Sequence, residues 1–404
     1  MRILVIGMAD SVHVARWLEL AIKDQDAEVL LIPTSPHRRI HPKLLGLANS
    51  RNTKVSIRFQ WFLKFASLPV WCIDKILPDP LKVRSLFIAQ ALKNFQPDLV
   101  HVMESQNGGY SFEIAARKAR ASGLFVPPTL LTLFGSDLYW FKNFPSHARR
   151  LRALLAMVTT VSAECQRDIE FARELGFKGN FLPLVPVSGG LPDDLILSSP
   201  DLASNPRRSI AVKGYGGEWG LGHIAIQALA DHREFLTGKL VEIYSAGGPA
   251  IRAAKKYLQP SGIDFKIYKK HALNHGQMLA LYRRSAVYIG LSKSDGLPAS
   301  MLEAMSQGAY PVQTTSACTQ GWVTADSSAT LISEPTVSNV SKALKVPFYG
   351  SGKLHDAQVA NLQTVKTKYS KTALDRAGTW QYSSILQTVL ASQGLDSQRT
   401  DQEL

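Results

Sequence analysis

The sequence is poor in cysteine and has no long apolar run. Its three cysteines among 404 residues lie far apart and in no metal-ligand spacing, which argues against a cysteine-ligated zinc fold and is typical of a reducing compartment. No apolar stretch is long enough to span a bilayer, and no secretory signal precedes the strand-like run Ile3 to Ile6. We therefore expect a cytoplasmic protein.

Acidic residues are absent between Glu28 and Asp74, in a chain whose formal net charge is +14. Cations attract anionic headgroups, and tryptophan and phenylalanine bury at the headgroup boundary, so this segment predicts reversible contact with the inner face of the cell membrane. A solvated basic face over core aromatics is the alternative interpretation. The segment interleaves two kinds of side chain: Arg38, Arg39, Lys43, Arg51, Lys54, Arg58 and Lys64 with Phe59, Trp61, Phe62, Phe65 and Trp71.

Missing motifs exclude several function classes. No helix-turn-helix, RNA-binding aromatic pair or zinc spacing accompanies the basic charge, so no nucleic-acid partner is predicted. There is no Gly-x-Ser-x-Gly, His-Glu-x-x-His or Walker-type string, which argues against hydrolases and ATPases. Asp24-Gln-Asp26 has a metal-diphosphate spacing but closes the first predicted helix in a polar turn, so neither a metal nor a cofactor is predicted.

Apolar runs alternate with amphipathic segments along the chain, which predicts an α/β protein with parallel sheets and crossover helices. A hydrophobic content of 45% with 19% charged residues fits a globular protein, and the length fits two domains. The predicted strands are Ile3 to Ile6, Val29 to Ile32, Leu99 to Val102, Thr129 to Leu133, Met157 to Val161, Ser209 to Val212, Leu240 to Ser245, Phe265 to Tyr268, Val287 to Gly290, Tyr310 to Gln313 and Thr330 to Ile332.

A polar stretch rich in Ser, Pro, Asp and Asn interrupts this alternation near its middle. We predict two Rossmann-like domains facing across a central cleft, with ligands beyond the carboxyl ends of the strands. The predicted segments are a first domain at 1–195, a linker at 196–209, a second domain at 210–373, a helix at 374–391 that crosses back to the first domain, and a flexible tail at 392–404.

The stretch from Ser292 to Gly308 is the most informative part of the sequence. It places Asp295 on a Gly-Pro turn after an apolar strand and Glu303, eight positions later, inside a helix that Gly308 ends. A strand, turn and helix start bring backbone N–H groups and the positive end of a helix dipole to one point, where a phosphate can bind. Neighbouring carboxylates can accept hydrogen bonds from sugar hydroxyls, so the stretch predicts a sugar-nucleotide site.

This stretch closely resembles the signature of the GT4-like retaining glycosyltransferases of GT-B fold, also called group 1, in which seven residues separate two glutamates. The resemblance covers roughly residues 1 to 340. It implies a metal-independent hexosyltransferase that uses a UDP- or GDP-linked sugar and a glycan or lipid-linked acceptor, in cell-surface polysaccharide or glycolipid synthesis.

The resemblance also assigns roles to residues of the second domain. Glu303 is expected to bind the donor ribose, while Asp295 and the turn Gly296, Leu297 and Pro298 hold the transferred sugar. Ser300 and Met301 are expected to offer N–H groups to the phosphates, although Ser300 could equally be a helix N-cap. Three further residues are matched to positions that bracket the nucleotide base: Gly247, Tyr268 and Lys270.

The sequence departs from the family pattern where positive charge is expected. Gly214 matches the glycine of a Gly-Arg and Lys-Gly element, but Tyr215 replaces the arginine and Leu221 the lysine. Another cation must then stabilise the leaving diphosphate. The candidates are Lys213, Lys293 and, from the facing domain, Arg16.

In the first domain, the string Phe134-Gly-Ser-Asp137 matches the family's His-Gly-Ser-Asp, so its histidine is missing. Phenylalanine cannot donate a hydrogen bond, and the acceptor-side contacts are therefore expected from Ser136, Asp137 or Glu104. Asp137 is assigned a catalytic role with Asp295 and Glu303, or else it caps the following turn. His101 is interpreted as a satisfied core histidine.

These departures keep other functions open within the same fold. One alternative is a non-catalytic subunit that binds a sugar or a partner, and another is a sugar-nucleotide epimerase or phosphorylase. The sequence does not define the sugar, the nucleotide, the acceptor, the linkage or the oligomeric state.

Overall fold

A computed structural model describes residues 1–23, 27–34, 40–58, 80–198, 201–202, 207–217, 219–324 and 328–392. The chain divides into two compact units. One comprises Met1–Gly189 and the chain from Leu374, and the other comprises Gly190–Ala373. The second unit thus begins a few residues before the predicted linker at 196–209.

The first unit is built on a seven-stranded sheet in which every pair is parallel, with strand order β3-β2-β1-β4-β5-β6-β7. Its central strands are buried on both faces, as their near-continuous apolar sequence requires. The strands are β1 (Arg2–Gly7), β2 (Glu28–Pro33), β3 (Lys54–Ile57), β4 (Leu99–Met103), β5 (Thr129–Thr132), β6 (Thr160–Ser162) and β7 (Asn180–Phe181).

Helices cover this sheet and complete a core that includes Val102, Phe112, Leu131 and Leu151. A π-helical segment, Ser105–Gly109, follows β4 directly. The helices are α1 (Val12–Lys23), α2 (Pro42–Asn49), α3 (Pro80–Asn94), α4 (Tyr110–Ala121), α5 (Ser136–Tyr139), α6 (Pro145–Leu155) and α7 (Gln166–Glu174).

The second unit has a six-stranded parallel sheet of order β10-β9-β8-β11-β12-β13. Each strand predicted for this half is present. The strands are β8 (Ser209–Lys213), β9 (Leu240–Ala246), β10 (Phe265–Lys269), β11 (Ser285–Gly290), β12 (Tyr310–Thr314) and β13 (Thr330–Ile332). The helices are α8 (Gly222–Leu229), α9 (Arg233–Leu236), α10 (Gly248–Ala253), α11 (His275–Arg284), α12 (Ala299–Ser306), α13 (Val337–Tyr349), α14 (Ser351–Lys368) and α15 (Lys371–Ser392).

The C-terminal helix α15 returns to the first unit from Leu374 onward. The hydroxyl of Tyr382 lies 2.7 Å from Nδ1 of His101, and Nε2 of that imidazole lies 2.8 Å from the Thr132 hydroxyl. Burial lowers the pKa of His101 to about 3, so this imidazole is a neutral, satisfied core group as predicted. Within the described part of the chain, no helix combines the length and apolarity that crossing a membrane would require.

Candidate functional site

Both sheets reverse their strand order at one point, between β1 and β4 in the first unit and between β8 and β11 in the second. In open parallel sheets, ligands bind beyond the carboxyl ends of the strands at such a switch point. Lys213 ends β8, and the Asp295 turn follows β11, so the predicted sugar-nucleotide residues lie at this edge of the second sheet.

Lys213 and Asp295 form an ion pair at the switch point. The Lys213 Nζ donates to Oδ2 of Asp295 at 3.1 Å, and the two side chains are 22% and 34% exposed. Burial opposes the lysine charge, but Asp295 and the neighbouring phenols of Tyr288 and Tyr215 reverse that effect and raise the pKa of Lys213 above its ordinary value. Lys213 is therefore charged at neutral pH. Lys293, the other candidate cation in this unit, is exposed.

Glycines bring the loops after β8 and β9 into direct contact. A Cβ on Gly214 would lie 2.7 Å from Cγ2 of Ile243 and 3.0 Å from Cα of Ala246. The Gly247 amide donates to the Gly214 carbonyl at 3.0 Å, and a Cβ on Gly247 would lie 3.2 Å from Cα of Gly216. The structure thus places Gly214 and Gly247 side by side, where larger residues would separate the loops.

The first turn of α12 presents amide groups beside the Asp295 turn. Helix α12 has Pro298 as its N-cap residue, without a side-chain cap, so the alternative of Ser300 as N-cap is wrong. The Met301 amide donates to the Pro298 carbonyl at 2.9 Å and is already engaged. The amides of Ala299 and Ser300 precede this bond, and they are the helix N-terminal donors that the helix itself does not use.

Glu303 lies one turn further along α12 and contacts a histidine that the sequence had not indicated. Its Oε1 lies 3.0 Å from Nε2 of His275, with side-chain exposures of 21% and 53% respectively. His275 is the first residue of α11, where Asn274 and Gln277 form a capping box that fixes the helix start. The capping box could have been read from the sequence, but the contact with Glu303 depends on tertiary packing.

Three buried tyrosines lie beneath this edge of the second sheet. The hydroxyl of Tyr288 lies 3.0 Å from that of Ser300, and Tyr282 packs edge-on against both Tyr244 and Tyr288. Burial raises the pKa of all three phenols, so they are neutral, and the Tyr288 hydroxyl is hydrogen-bonded to Ser300. Within this layer, Tyr288 holds the Ser300 side chain. Sequence analysis did not predict the layer.

The structure brings the residues predicted to bracket the nucleotide base together only in part. The Tyr268 hydroxyl donates to Oε1 of Glu242 at 2.9 Å, and Glu242 is also held by the Arg284 guanidinium at 2.6 Å. That phenol is therefore used within the fold. Lys270 is exposed, whereas Gly247 contacts Gly214, another residue assigned to the donor.

In the first unit, the predicted acceptor-side acids are buried and bound to their own loops. Glu104 has a φ of 91°, unusual for a non-glycine residue, and its carboxylate accepts from the Gly108 amide at 3.3 Å. Oδ2 of Asp137 accepts from the amides of Ser105 at 2.9 Å and Phe134 at 3.1 Å. Burial raises the pKa of both carboxyls. Asp137 thus binds backbone amides that precede it in the chain and does not cap the following turn, which was the alternative interpretation.

A histidine stands beside Phe134, the residue that replaces the expected histidine. The rings of His13 and Phe134 meet edge-on, with centroids 6.4 Å apart. Nδ1 of His13 lies 3.1 Å from the Val187 carbonyl, so Nδ1 carries the proton and Nε2 is left as an acceptor. Burial and the charge of Arg16 lower the pKa of His13 to about 4. Nothing in the sequence near His13 had indicated this contact.

The basic and aromatic segment predicted to contact membranes is described only in part. Lys43 pairs with Glu19 at 2.6 Å, and Arg58 donates to Gln90 at 3.1 Å. Arg51 and Lys54 are exposed. The rest of the segment's basic and aromatic residues lie outside the described residues: Arg38, Arg39, Phe59, Trp61, Phe62, Lys64, Phe65 and Trp71.

Comparison with solved structures identifies the architecture. The HepE protein of Anabaena, in complex with UDP, aligns with a TM-score of 0.66 at 12% identity over 96% of this chain and 100% of that chain. Sucrose-phosphate synthase from Thermosynechococcus elongatus gives 0.66 and 12% over 97% and 100%, and a glycosyltransferase from Rickettsia africae gives 0.62 and 15% over 95% and 98%. The chain has the GT-B fold. Identities this low establish the fold alone.

A family comparison confirms the resemblance predicted from the sequence over part of this GT-B chain. Residues 47–164 match the family described as "Glycosyl transferase 4-like", which is less than half of the chain. No curated protein matches the sequence. The family match lies wholly within the first unit, whereas the signature residues Asp295 and Glu303 lie in the second.

Proposed function

We propose that this protein is a retaining, metal-independent glycosyltransferase that moves a hexosyl unit from a UDP- or GDP-linked sugar to a glycan or lipid-linked acceptor. The observation that carries the proposal is the charged pair Lys213–Asp295 beside the first-turn amides of α12, at the switch point of the second sheet. The solved HepE complexes contain UDP, UDP-glucose, or UDP with glucose, which supports a UDP-linked donor. Synthesis of a cell-surface polysaccharide or glycolipid is the proposed context.

Lys213 supplies the positive charge that the missing arginine and lysine would otherwise provide. A donor diphosphate seated on the amides of Ala299 and Ser300 accepts from Lys213, which Asp295 holds at the edge of the sheet. As the bond from the sugar C1 to the phosphate oxygen breaks, negative charge grows on the diphosphate, and Lys213 stabilises it. The acceptor oxygen bonds to C1 on the same face, and its proton passes to the departing diphosphate.

Glu303 and Asp295 are positioning groups in this mechanism. One Glu303 oxygen contacts His275, and the other can accept from the hydroxyls of the donor ribose. Asp295 uses one oxygen for Lys213, which leaves the second for a hydroxyl of the transferred sugar. Neither carboxylate needs to act as a nucleophile.

A thermal-shift panel of nucleoside diphosphates and nucleotide sugars tests this function, because a ligand that binds only the folded state raises its stability. We expect stabilisation by one nucleotide series and its loss in Glu303→Gln. The matched control is Glu334→Gln, at an exposed acid of the same unit. Product anomers identified by NMR then test retention. If no nucleotide sugar stabilises the wild-type protein or is turned over, the proposal is wrong.

One observation favours a second candidate, a non-catalytic sugar-binding subunit. Asp137 is 4% exposed and bound to backbone amides, and Phe134 replaces a polar residue of the resembled family. The acceptor side of the first unit thus lacks the expected histidine, and its Asp137 is already bound to the backbone. A binding subunit would be stabilised by a nucleotide sugar but would give no product with any glycan, lipid-linked or phosphorylated acceptor supplied.

A further inference from the structure

A glycine inside a buried strand marks a close approach near the carboxyl edge of the second sheet. Tyr288 and Gly290 lie on the same face of β11, because successive side chains of a strand alternate between its faces. A Cβ on Gly290 would lie only 2.3 Å from the Tyr288 hydroxyl and 2.5 Å from Oε1 of Gln313, which pairs with Gly290 on β12. The bare backbone of Gly290 therefore gives the phenol room to extend along the strand.

The Tyr288 hydroxyl uses this room to reach the first turn of α12. It lies 3.0 Å from Oγ of Ser300, and the phenol is fully buried whereas Ser300 is partly exposed. Ser300 is the second residue after the N-cap Pro298, so its own amide belongs to the N-terminal N–H groups for which the helix has no acceptor. The bond from Tyr288 therefore restrains a residue whose amide the proposed function assigns to the diphosphate.

The same phenol lies near the cation of the site. Tyr288 is on β11 and Lys213 ends β8, and these two strands are neighbours in the sheet. Burial opposes the charge of Lys213, but Asp295 and next the Tyr288 phenol raise the pKa of Lys213 above its ordinary value. One buried side chain thus adjoins both the strand that ends in the cation and the helix that begins with the amides.

We propose that Tyr288 is a positioning residue for the donor diphosphate: through Ser300 it fixes the first turn of α12, so that the amides of this turn meet the phosphates that Lys213 also binds. This role rests on the proposed function, whereas the restraint on the first turn of α12 does not. A turn that is already fixed binds phosphate without the entropy cost of ordering it, so Tyr288 affects affinity without touching the nucleotide. If the bond served the fold alone, its removal would lower stability and leave nucleotide affinity unchanged.

Isothermal titration calorimetry with UDP and with GDP tests this role. Tyr288→Phe should weaken the binding of whichever nucleotide the wild-type protein binds by about fivefold or more, since it removes one hydrogen bond from the restrained turn. The matched control is Tyr310→Phe at the amino end of β12, where a buried tyrosine hydroxyl lies 3.1 Å from that of Thr330. This control loses a bond of the same kind away from the site and should bind nucleotide like wild type. Equal affinities in the two variants would overturn the proposal.

A double-mutant cycle checks that the effect passes through Ser300. Ser300→Ala keeps the amide and removes the hydroxyl, so it should weaken binding as Tyr288→Phe does, and the double variant should bind no more weakly than either single variant. Additive losses would mean that the two side chains act separately, against the proposal. Gly290→Ala should also weaken binding, because its methyl group displaces the phenol hydroxyl without removing it. Melting curves without nucleotide establish that each variant folds.

Amide hydrogen exchange of the ligand-free protein separates this proposal from the proposed function. In Tyr288→Phe, exchange over residues 297–303 should be about fivefold faster than in wild type, whereas Tyr310→Phe should leave it unchanged. If UDP or GDP binds but neither exchange nor affinity responds to Tyr288→Phe, the positioning role is wrong and the transferase proposal stands. If exchange responds but no nucleotide or nucleotide sugar binds the wild-type protein, the transferase proposal falls, and the restraint on α12 stands without a diphosphate to position.

Discussion

Both units place acidic residues at the carboxyl edge of a parallel sheet, but the acid of the second unit is partly exposed whereas those of the first unit are buried. In the second unit, Asp295 and its partner Lys213 remain about one-third and one-fifth exposed. In the first unit, Glu104 and Asp137 are 7% and 4% exposed and accept hydrogen bonds from their own loops. An acid at a switch point is therefore not by itself a ligand site. Its accessibility and its existing partners decide whether it can bind a substrate.

Replacing Lys213 should have the largest effect, because no cation from the resembled family's pair remains beside it. Lys213→Met should lower kcat about 100-fold or more, since it removes electrostatic stabilisation of the leaving diphosphate. Steady-state kinetics with the donor found in the thermal-shift panel measure this. The exposed Lys255 gives the control variant Lys255→Met, which should keep wild-type kcat. Full activity in Lys213→Met would remove the basis for treating the second unit's edge as the donor site.

Replacing Asp137 should lower the free energy of unfolding rather than weaken donor binding. Asp137→Ala leaves two buried amides without their acceptor and should lower the free energy of unfolding by about 2 to 4 kcal/mol. Glu303→Ala loses only a contact with an exposed histidine and should cost less than about 1 kcal/mol. Urea denaturation of the two variants measures the contrast. Equal costs would mean that the acids of the two units do not differ in the way their burial indicates.

Sequence reasoning recovered the sheets better than the sites. Long apolar runs such as Leu99–Met103 are buried on both faces, and such strands can be recognised from their composition alone. The edge strands Lys54–Ile57 and Asn180–Phe181 were missed because they are short and only partly apolar. The turn at Asp295 and the helix after it were likewise predicted, since Gly, Pro and the apolar spacing are local signals.

The partners of the site residues could not be predicted, because they are distant in sequence. Lys213 reaches Asp295 only because β8 and β11 are neighbours in the sheet. The contacts of Glu303 with His275 and of Phe134 with His13 depend in the same way on how elements pack. Local pattern identifies residues able to do chemistry, whereas tertiary structure decides which groups modulate them.

The partly buried His13 beside Phe134 is a polar group of the first unit that sequence matching did not assign. His13→Phe should lower kcat/KM about tenfold, because Nε2 can no longer accept a hydrogen bond from a substrate hydroxyl. Phe134→His, made in the His13→Phe background, restores the residue of the resembled family and should recover part of the loss. Kinetics of the single and double variants measure this coupling. No loss in His13→Phe would leave the first unit's edge purely structural.

The effect of the buried His101 is smallest near neutral pH and grows as the pH falls. The folded pKa of His101, about 3, lies below the ordinary value of 6.5. Below pH 6.5 the imidazole therefore binds a proton in the unfolded chain but not in the folded chain. The contribution of His101 to stability is therefore present above pH 6.5 and is lost as pH falls towards the folded pKa, by up to about 1.4 kcal/mol per pH unit. His101→Gln should flatten the plot of unfolding free energy against pH in that range, even if the variant is less stable throughout. Parallel plots for the two proteins would show that His101 is protonated in the folded state, and the contrast between a buried first-unit edge and an accessible second-unit edge would weaken accordingly.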